Sequence, residues 1–204
     1  MTERAAILRE IGKPLEVDDI ELADIAPDQV RVRIAASGVC HSDLSMATGA
    51  LPAGAPCVLG HEGAGVIETV GSEVHHVEPG DHVVIAWTAA CQHCWFCRRG
   101  EVHLCRNAIA DSYAMPYASD VDGNSLFTAM GVSSFATATN CLGRAVVPID
   151  RDIPLDVASL VGCGVATGAG AALNTAPVEH GSSVAVIGLG GVGLAVLMAL
   201  ASDD

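Results

Sequence analysis

The sequence is short of basic residues. Its 204 residues contain 10 Lys and Arg against 24 Asp and Glu, which gives a formal net charge of −14. A protein this acidic lacks the positive surface that nucleic acids and anionic membranes attract, so neither is expected as a partner. Only 17% of the residues are charged and 50% are hydrophobic, so the chain can bury a sizeable core and wholesale disorder is excluded.

Cysteine is too scarce for a disulfide-stabilised scaffold. The eight cysteines are about 4% of the residues, well below the share found in such scaffolds. The first 20 residues contain Glu3, Arg4, Arg9 and Lys13 and do not read as a secretory signal peptide. We therefore expect a cytoplasmic location, where cysteines more often bind metal or carry out chemistry than form disulfides.

One uncharged run approaches the length of a membrane span. Residues 184–201 form 18 consecutive positions without a charge, near the lower limit for a helix that crosses a bilayer. Four of these positions are glycine, which favours a turn within the run over one continuous helix. The sequence therefore predicts no membrane span here.

The periodicity of the chain changes near residue 154. Before it, short β-branched stretches alternate with glycine-containing turns, as in Val30, Val32 and Ile34 between polar neighbours. We expect further strands over 63–70 and 82–86. After residue 154, the pattern predicts helices over 155–161 and 167–174, an apolar strand over 183–187 and an apolar helix over 191–200. The predicted fold class is mixed: a β-barrel domain followed by the first βα unit of an α/β domain.

Four cysteines lie close together in the middle of the chain. Cys91, Cys94, Cys97 and Cys105, here called the four-cysteine cluster, have C-x2-C-x2-C-x7-C spacing. Four thiolates at such spacing close a tetrahedral shell around Zn²⁺ and leave no position for substrate. An iron–sulfur run would place its last cysteine three residues on with a proline after it, and a redox pair would need only two cysteines. Unrelated core cysteines remain the plainest alternative to a structural zinc site.

Three glycine-flanked segments carry a second set of metal-binding residue types. Cys40, His61 and Cys163, here called the Cys-His-Cys cluster, are far apart in the sequence. Each one alone is more often a small core residue or a histidine that bonds to the backbone. Together they would supply two thiolates and one imidazole, which leaves a fourth position open as in catalytic zinc sites.

The third motif is a glycine-rich turn. Gly188, Gly190 and Gly193 form G-x-G-x-x-G between the predicted strand and helix, and Gly191 and Val192 lie within it. In that context the glycines allow a tight turn, and the amides at the start of the helix can hold a pyrophosphate. A glycine-rich turn in an ordinary α/β unit is the alternative.

Taken together, these segments resemble the zinc-dependent medium-chain alcohol dehydrogenases, with most similarity to the class III-like subgroup. The matching stretches are GVCHSD, GHEGAGVIETVG, the four-cysteine loop, GCGVATGAG and GLGGVG, in this order. The resemblance implies a GroES-like zinc-binding catalytic domain over 1–163 and the start of an NAD-binding Rossmann domain over 164–204. Family chains continue well beyond this point, so we expect the sequence to be an N-terminal part.

The resemblance also assigns roles to individual residues. It implies that Ser42 takes the proton of the alcohol, that Glu62 lies behind the catalytic zinc and that Asp43 supports the zinc-bound histidine. Near the cofactor it places His41 and Thr167 with the glycine-rich turn, and it places Trp87 in the substrate pocket. Cys40, His61 and Cys163 become the ligands of a catalytic zinc, and the four-cysteine cluster becomes a structural site.

The resemblance therefore implies an NAD-dependent oxidoreductase with two Zn²⁺ per chain, acting on a small alcohol or aldehyde and forming a homo-oligomer at full length. The alternative is a catalytically inactive zinc-binding module. We further expect a neutral substrate over a glutathione adduct, because residues 107–143 border the substrate cleft in the family and contain no Lys or Arg.

Overall fold

The computed structural model describes residues 2–108, 116–176 and 178–201. Within them the chain forms ten strands: β1 Glu3–Leu8, β2 Glu16–Leu22, β3 Gln29–Gly38, β4 Cys57–Val58, β5 Glu62–Val70, β6 His82–Ile85, β7 Pro116–Asp120, β8 Ser125–Thr128, β9 Ala138–Leu142 and β10 Val146–Pro148. The α-helices are α1 His41–Thr48, α2 Leu155–Ala158, α3 Gly164–Gly170 and α4 Gly191–Ala201. Shorter helical turns cover Cys97–Arg99, Val102–Leu104, Gly143–Ala145, Ser159–Gly162 and Ala171–Thr175.

The strands form two sheets. One is a closed barrel with the order β1-β2-β7-β8-β4, and the other is a five-stranded sheet with the order β10-β6-β5-β3-β9. In β3, Val30 and Val32 are fully buried, whereas Arg31 and Arg33 are half-buried. This alternation confirms the half-buried strand expected from the sequence, since successive side chains of a strand point to opposite faces.

Strands β3 and β5 are neighbours in the five-stranded sheet. They pair antiparallel, and in this register Gly38 at the end of β3 lies opposite Glu62 at the start of β5. The strands expected over 63–70 and 82–86 are confirmed as β5 and β6. The turn between them has Gly80 at a φ of 96°, a conformation that glycine adopts without a steric penalty.

The part of the chain after residue 154 follows the sequence prediction only in part. The helix expected over 191–200 is α4, and the helices expected over 155–161 and 167–174 correspond to α2 and α3 with their adjoining turns. The prediction of a strand over 183–187 is wrong, because this apolar segment forms no strand. A parallel strand needs hydrogen-bonded neighbours, and none of the described residues provides one for it. Ile187 is fully exposed as a result.

No single helix among the described residues is both long and apolar enough to cross a membrane, and α4 in the uncharged run is a short apolar helix. The bent pair formed by residues 155–162 and 164–175 meets the length and composition criteria when its two parts are taken together.

Candidate functional site

The antiparallel pairing of β3 with β5 brings the first two residues of the Cys-His-Cys cluster together. Cys40 lies two residues after the end of β3, and His61 lies directly before the start of β5. Because Gly38 pairs with Glu62, both residues leave the sheet at the same edge. Cys40 also precedes α1, and its backbone N–H donates to the carboxylate of Asp43 at 3.2 Å.

The third residue of the cluster arrives from the helical part of the chain. Cys163 lies between the turn Ser159–Gly162 and α3, directly after a glycine that packs on the sheet. A Cβ at Gly162 would lie 2.5 Å from the carbonyl oxygen of Ile85 in β6. This close approach, which only glycine permits, sets Cys163 beside the sheet edge that carries Cys40 and His61.

The geometry of the Cys-His-Cys cluster fits a metal ion. The ligand atoms of Cys40, His61 and Cys163 all lie within 4.8 Å of one another. The His61 side chain is only 1% exposed, and its Nε2 atom is buried without a hydrogen-bond partner. A buried nitrogen that faces two thiols and bonds to no protein group is the donor that a metal would complete.

Asp43 fixes the orientation of the His61 ring. Its Oδ1 lies 3.1 Å from His61 Nδ1 and also accepts the backbone N–H of Gly60 at 3.0 Å. With Nδ1–H donated to the carboxylate, the lone pair of the neutral ring is on Nε2, toward the thiols. The sequence-predicted support of the histidine by Asp43 therefore has the required geometry.

The pKa values of His61 and Cys40 shift in opposite directions inside this cluster. Burial lowers the pKa of His61, but the bond to the Asp43 carboxylate and the nearby Cys163 sulfur outweigh this effect and raise the pKa to about 10. Burial raises the pKa of Cys40, yet hydrogen bonds from Ser42 and the charge of His61 bring it below its ordinary value. The pocket thus favours negative charge on sulfur next to a positive partner, and a divalent cation bound to the sulfurs would meet the same preference.

Glu62 is locked behind the cluster. Its side chain is 5% exposed, and its Oε1 accepts the backbone N–H of Gly164 at 2.9 Å. On the other side, a Cβ at Gly38 would overlap Glu62 Oε2. The carboxylate therefore ties the end of β3 to the first turn of α3. The sequence analysis did not predict Gly38 or Gly164 as site residues. The signal that could have found them is their position beside the ligands, since Gly38 lies shortly before Cys40 and Gly164 directly after Cys163.

The remaining predicted residues near the cluster occupy different environments. Ser42 is half-buried in α1 and hydrogen-bonds with Cys40, whereas His41 at the start of α1 is exposed. Trp87 is half-buried, and its ring meets the His61 ring edge-on with 6.4 Å between centroids. Thr167 is exposed on α3, and its backbone N–H donates to the carbonyl of Cys163 at 2.8 Å.

The four-cysteine cluster forms a second group, with its four sulfur atoms within 4.8 Å of one another. The backbone N–H of Cys91 points to the sulfur of Cys105 and that of Cys94 to the sulfur of Cys91, both at 3.3 Å. Backbone N–H groups of Cys97 and Arg106 lower the pKa of Cys94 to about 6. Burial raises the pKa of Cys97 to about 12. Thiolates this close repel one another, so full ionisation of the cluster requires a cation between them.

Basic and aromatic residues cover the loop of the four-cysteine cluster. The Arg99 guanidinium lies 4.6 Å from the ring centroid of Trp95, and that of Arg106 lies 5.4 Å from the Phe96 ring. Such contacts hold both guanidinium groups against the aromatic rings of this loop. His93 bonds to the carbonyl of Cys91 and is not part of the group.

The glycine-rich turn is formed, although the strand before it is not. Gly188 has a φ of 101°, and a Cβ at Gly193 would overlap the Gly188 carbonyl oxygen. Helix α4 begins at Gly191, and the space beside Gly190 and Gly191 is open, which gives a ligand access to the first backbone amides. Val192 is exposed beside them. A close contact at Gly168, where a Cβ would overlap the Val192 carbonyl oxygen, packs α3 against α4.

Comparison with known proteins places the chain in a family. Residues 26–151 match the model of the alcohol dehydrogenase GroES-like domain. A class-3 alcohol dehydrogenase of Drosophila melanogaster is 45% identical over 202 residues, which are 96% of this chain and 53% of that protein. An S-(hydroxymethyl)glutathione dehydrogenase of Saccharomyces cerevisiae is 44% identical over 200 residues, 95% of this chain and 52% of that protein.

The solved structures agree. An alcohol dehydrogenase zinc-binding domain protein from Burkholderia ambifaria superposes with a TM-score of 0.93 at 35% identity, over 99% of this chain and 56% of that one. The chain spans about half the length of the curated relatives it matches. The family model covers more than half of the chain and confirms the resemblance found in the sequence: the chain belongs to the alcohol dehydrogenase GroES-like domain family.

Proposed function

We propose that this chain is the zinc-binding part of an NAD-dependent alcohol dehydrogenase that interconverts a small alcohol and its aldehyde. The observation that carries the proposal is the Cys-His-Cys cluster, whose buried His61 Nε2 has no protein partner. Two thiolates and one imidazole leave a fourth position for a substrate oxygen. When bound there, Zn²⁺ supplies Lewis-acid polarisation of that oxygen.

The residues around the cluster divide the remaining work. Ser42, half-buried two residues after Cys40, receives the alcohol proton through its hydroxyl. Asp43 holds the His61 ring with Nε2 toward the metal, and Glu62 holds the cluster between β3 and α3. Trp87, next to the imidazole, provides an apolar wall for the substrate.

The cofactor belongs to the second unit of the chain. We propose a catalytic domain over 1–163 and the start of an NAD-binding domain over 164–204, in which the amides of the glycine-rich turn bind the pyrophosphate. His41 would lie beside the pyrophosphate and Thr167 beside the nicotinamide. Direct packing of α3 on α4 supports this arrangement, because α3 begins next to Cys163 and α4 begins in the turn.

The test compares the 204-residue chain with a version extended to the length of its relatives. Both should bind two Zn²⁺ per chain, measured by elemental analysis of reduced, zinc-loaded protein. The extended version should oxidise benzyl alcohol with NAD⁺, and Cys40→Ser should abolish this activity while Cys141→Ala, at a buried cysteine outside both clusters, should retain it. An extended protein that binds both zinc ions and oxidises no alcohol would refute the proposed activity.

The second candidate is a zinc-binding module without activity. It is favoured by one observation, that residues 183–187 form no strand and leave Ile187 and Leu189 exposed. A dinucleotide held only by the glycine-rich turn would lack the rest of its binding surface. Turnover by the 204-residue chain separates the two candidates, and we expect none from this chain alone.

For the substrate we propose a neutral alcohol or aldehyde over a glutathione adduct. Residues 107–143 provide no cation for the carboxylates of glutathione. A higher kcat/KM for S-hydroxymethylglutathione than for benzyl alcohol would refute this choice.

We also propose a homo-oligomer at full length and retain the cytoplasmic location expected from the sequence. All eight cysteines are free, and six of them belong to the two clusters. Zinc thiolates need these sulfurs reduced, which a reducing compartment provides.

A further inference from the structure

A buried segment packs along the chain just before His61. Residues 129–137, here called the bracing segment, follow β8 and precede β9. The N–H of Phe135 donates to the carbonyl of Leu59 at 3.0 Å, and the N–H of Ser134 donates to the carbonyl of Gly60 at the same distance. The hydroxyl of Ser133 donates to the carbonyl of Val58. The backbone that enters His61 is therefore held residue by residue.

The Ser134 side chain fills the space left by two glycines. A Cβ at Gly60 would lie 2.6 Å from Ser134 Oγ, and a Cβ at Gly63 would lie 2.9 Å from Ser134 Cβ. Gly60 and Gly63 flank the pair His61 and Glu62. Ser134 therefore packs against the backbone directly before His61 and directly after Glu62.

The hydroxyl of Ser134 also reaches the other ligand-bearing strand. Its Oγ lies 2.7 Å from the Oγ of Ser37, near the end of β3, and either hydroxyl can donate this bond. Ser37 is three residues before Cys40. One side chain, 2% exposed, therefore contacts both the segment that carries Cys40 and the segment that carries His61.

We propose that Ser134 is a positioning residue for the metal centre, which sets the separation of Cys40 and His61 through its bond with Ser37. The inference rests on the proposed function only in that the Cys-His-Cys cluster binds a metal. Ligand atoms that are held at the right separation before binding avoid the entropy of being ordered by the metal, so the hydroxyl contributes to affinity. Ser134 itself touches neither metal nor substrate.

The test measures metal affinity at each site of the full 204-residue chain. Zn²⁺ is competed with a chromophoric chelator, and Cys40→Ser assigns one of the two binding phases to the Cys-His-Cys cluster. Ser134→Ala should lower the affinity of that cluster roughly tenfold and leave the four-cysteine cluster unchanged. In Co²⁺-loaded protein, the d–d absorption of the Cys-His-Cys cluster should shift, since this absorption reports ligand geometry.

Two further variants make the result specific. Ser37→Ala removes the same hydrogen bond from the other side and should reproduce the effect, and the double variant should be no weaker than either single one. Thr139→Val is the matched control, because Thr139 is fully buried and its hydroxyl bonds only to the Val132 carbonyl of the bracing segment. It should leave the affinity of both sites unchanged.

The outcomes separate this inference from the proposed function. If the parent chain binds no metal at the Cys-His-Cys cluster, both fail. If the parent binds two metal ions and Ser134→Ala binds them equally well, only the role of Ser134 is refuted. An equal loss at both sites would indicate general destabilisation and would also overturn the role. If Ser134→Ala does not fold, Ser37→Ala decides.

Discussion

Replacing Cys97 by serine removes one sulfur from the four-cysteine cluster, and we expect this change to open the loop formed by residues 91–105. The loop has little else to hold it. Its regular structure is limited to the short turns Cys97–Arg99 and Val102–Leu104, and its buried side chains are those of Cys91 and Cys97. We therefore expect order in this loop to depend on a bound metal, whereas the two sheets have apolar cores of their own.

The size of the effect follows from the metal. Structural zinc sites contribute about 10–16 kcal/mol, so an even share for one of four ligands is about 2.5–4 kcal/mol. When opening is fast relative to cleavage, proteolysis follows the population of the open state. A loss of this size raises that population about 100- to 1,000-fold, since 1.36 kcal/mol corresponds to a factor of ten. The two sheets should stay folded in the same protein.

Trypsin provides the assay, because Arg98 and Arg99 are exposed within the loop. Cleavage after these residues should be slow in zinc-loaded parent protein and fast in Cys97→Ser, with one Zn²⁺ per chain retained. The control is Cys141→Ala, which removes a fully buried thiol from β9 and leaves the loop intact. Equal cleavage rates in the parent and in Cys97→Ser would refute the structural role of the four-cysteine cluster.

Three other changes test separate parts of the structure. Asp43→Asn should lower the metal affinity of the Cys-His-Cys cluster about 10- to 100-fold in chelator competition, because the His61 ring loses its anionic partner; unchanged affinity would contradict this. The hydrogen bond from Arg9 holds the pKa of Asp120 at about 2, so its stabilisation is complete above the ordinary pKa and is lost as pH falls from about 4 to 2. In urea unfolding over that range, Asp120→Asn should flatten the pH dependence relative to Asp122→Asn, and equal slopes would contradict the ion pair. Gly168→Val should force α3 from α4 and lower the free energy of unfolding of this region by about 1–3 kcal/mol, seen as faster hydrogen exchange in α4.

The two metal clusters differ in how far the sequence could predict them. The four-cysteine cluster was predictable because its ligands are close in sequence, and any compact loop brings their sulfur atoms near one another. The Cys-His-Cys cluster depends instead on the pairing of β3 with β5 in one register. Its residue types were visible in glycine-flanked segments, but nothing local indicates that Gly38 lies opposite Glu62. The residue types suggested one site and the resemblance to a family gave them one role, but only the structure gives their separation.

The bracing segment marks the limit of reasoning from pattern. Ser134 lies 97 residues from Ser37, and no periodicity or spacing indicates that the two hydroxyls meet. The sequence offered only an indirect signal, the glycine directly before His61. In the structure Gly60 adopts a φ of 93°, and another group occupies the space that a side chain would take. The identity of that group follows only from the tertiary structure.

Residues 183–187 show the opposite case, in which the local pattern was clear and the structure still differs. Apolar β-branched residues favour an extended backbone, but a strand exists only when its N–H and C=O groups pair with a neighbour. Helix α4 forms regardless, since its hydrogen bonds lie within one segment. Side chains such as Val184, Ile187 and Leu189 are left in solvent, where each forgoes part of the about 1.5–3 kcal/mol that burial would provide. A prediction of strand at this position is therefore a prediction about the neighbouring strands as much as about the segment itself.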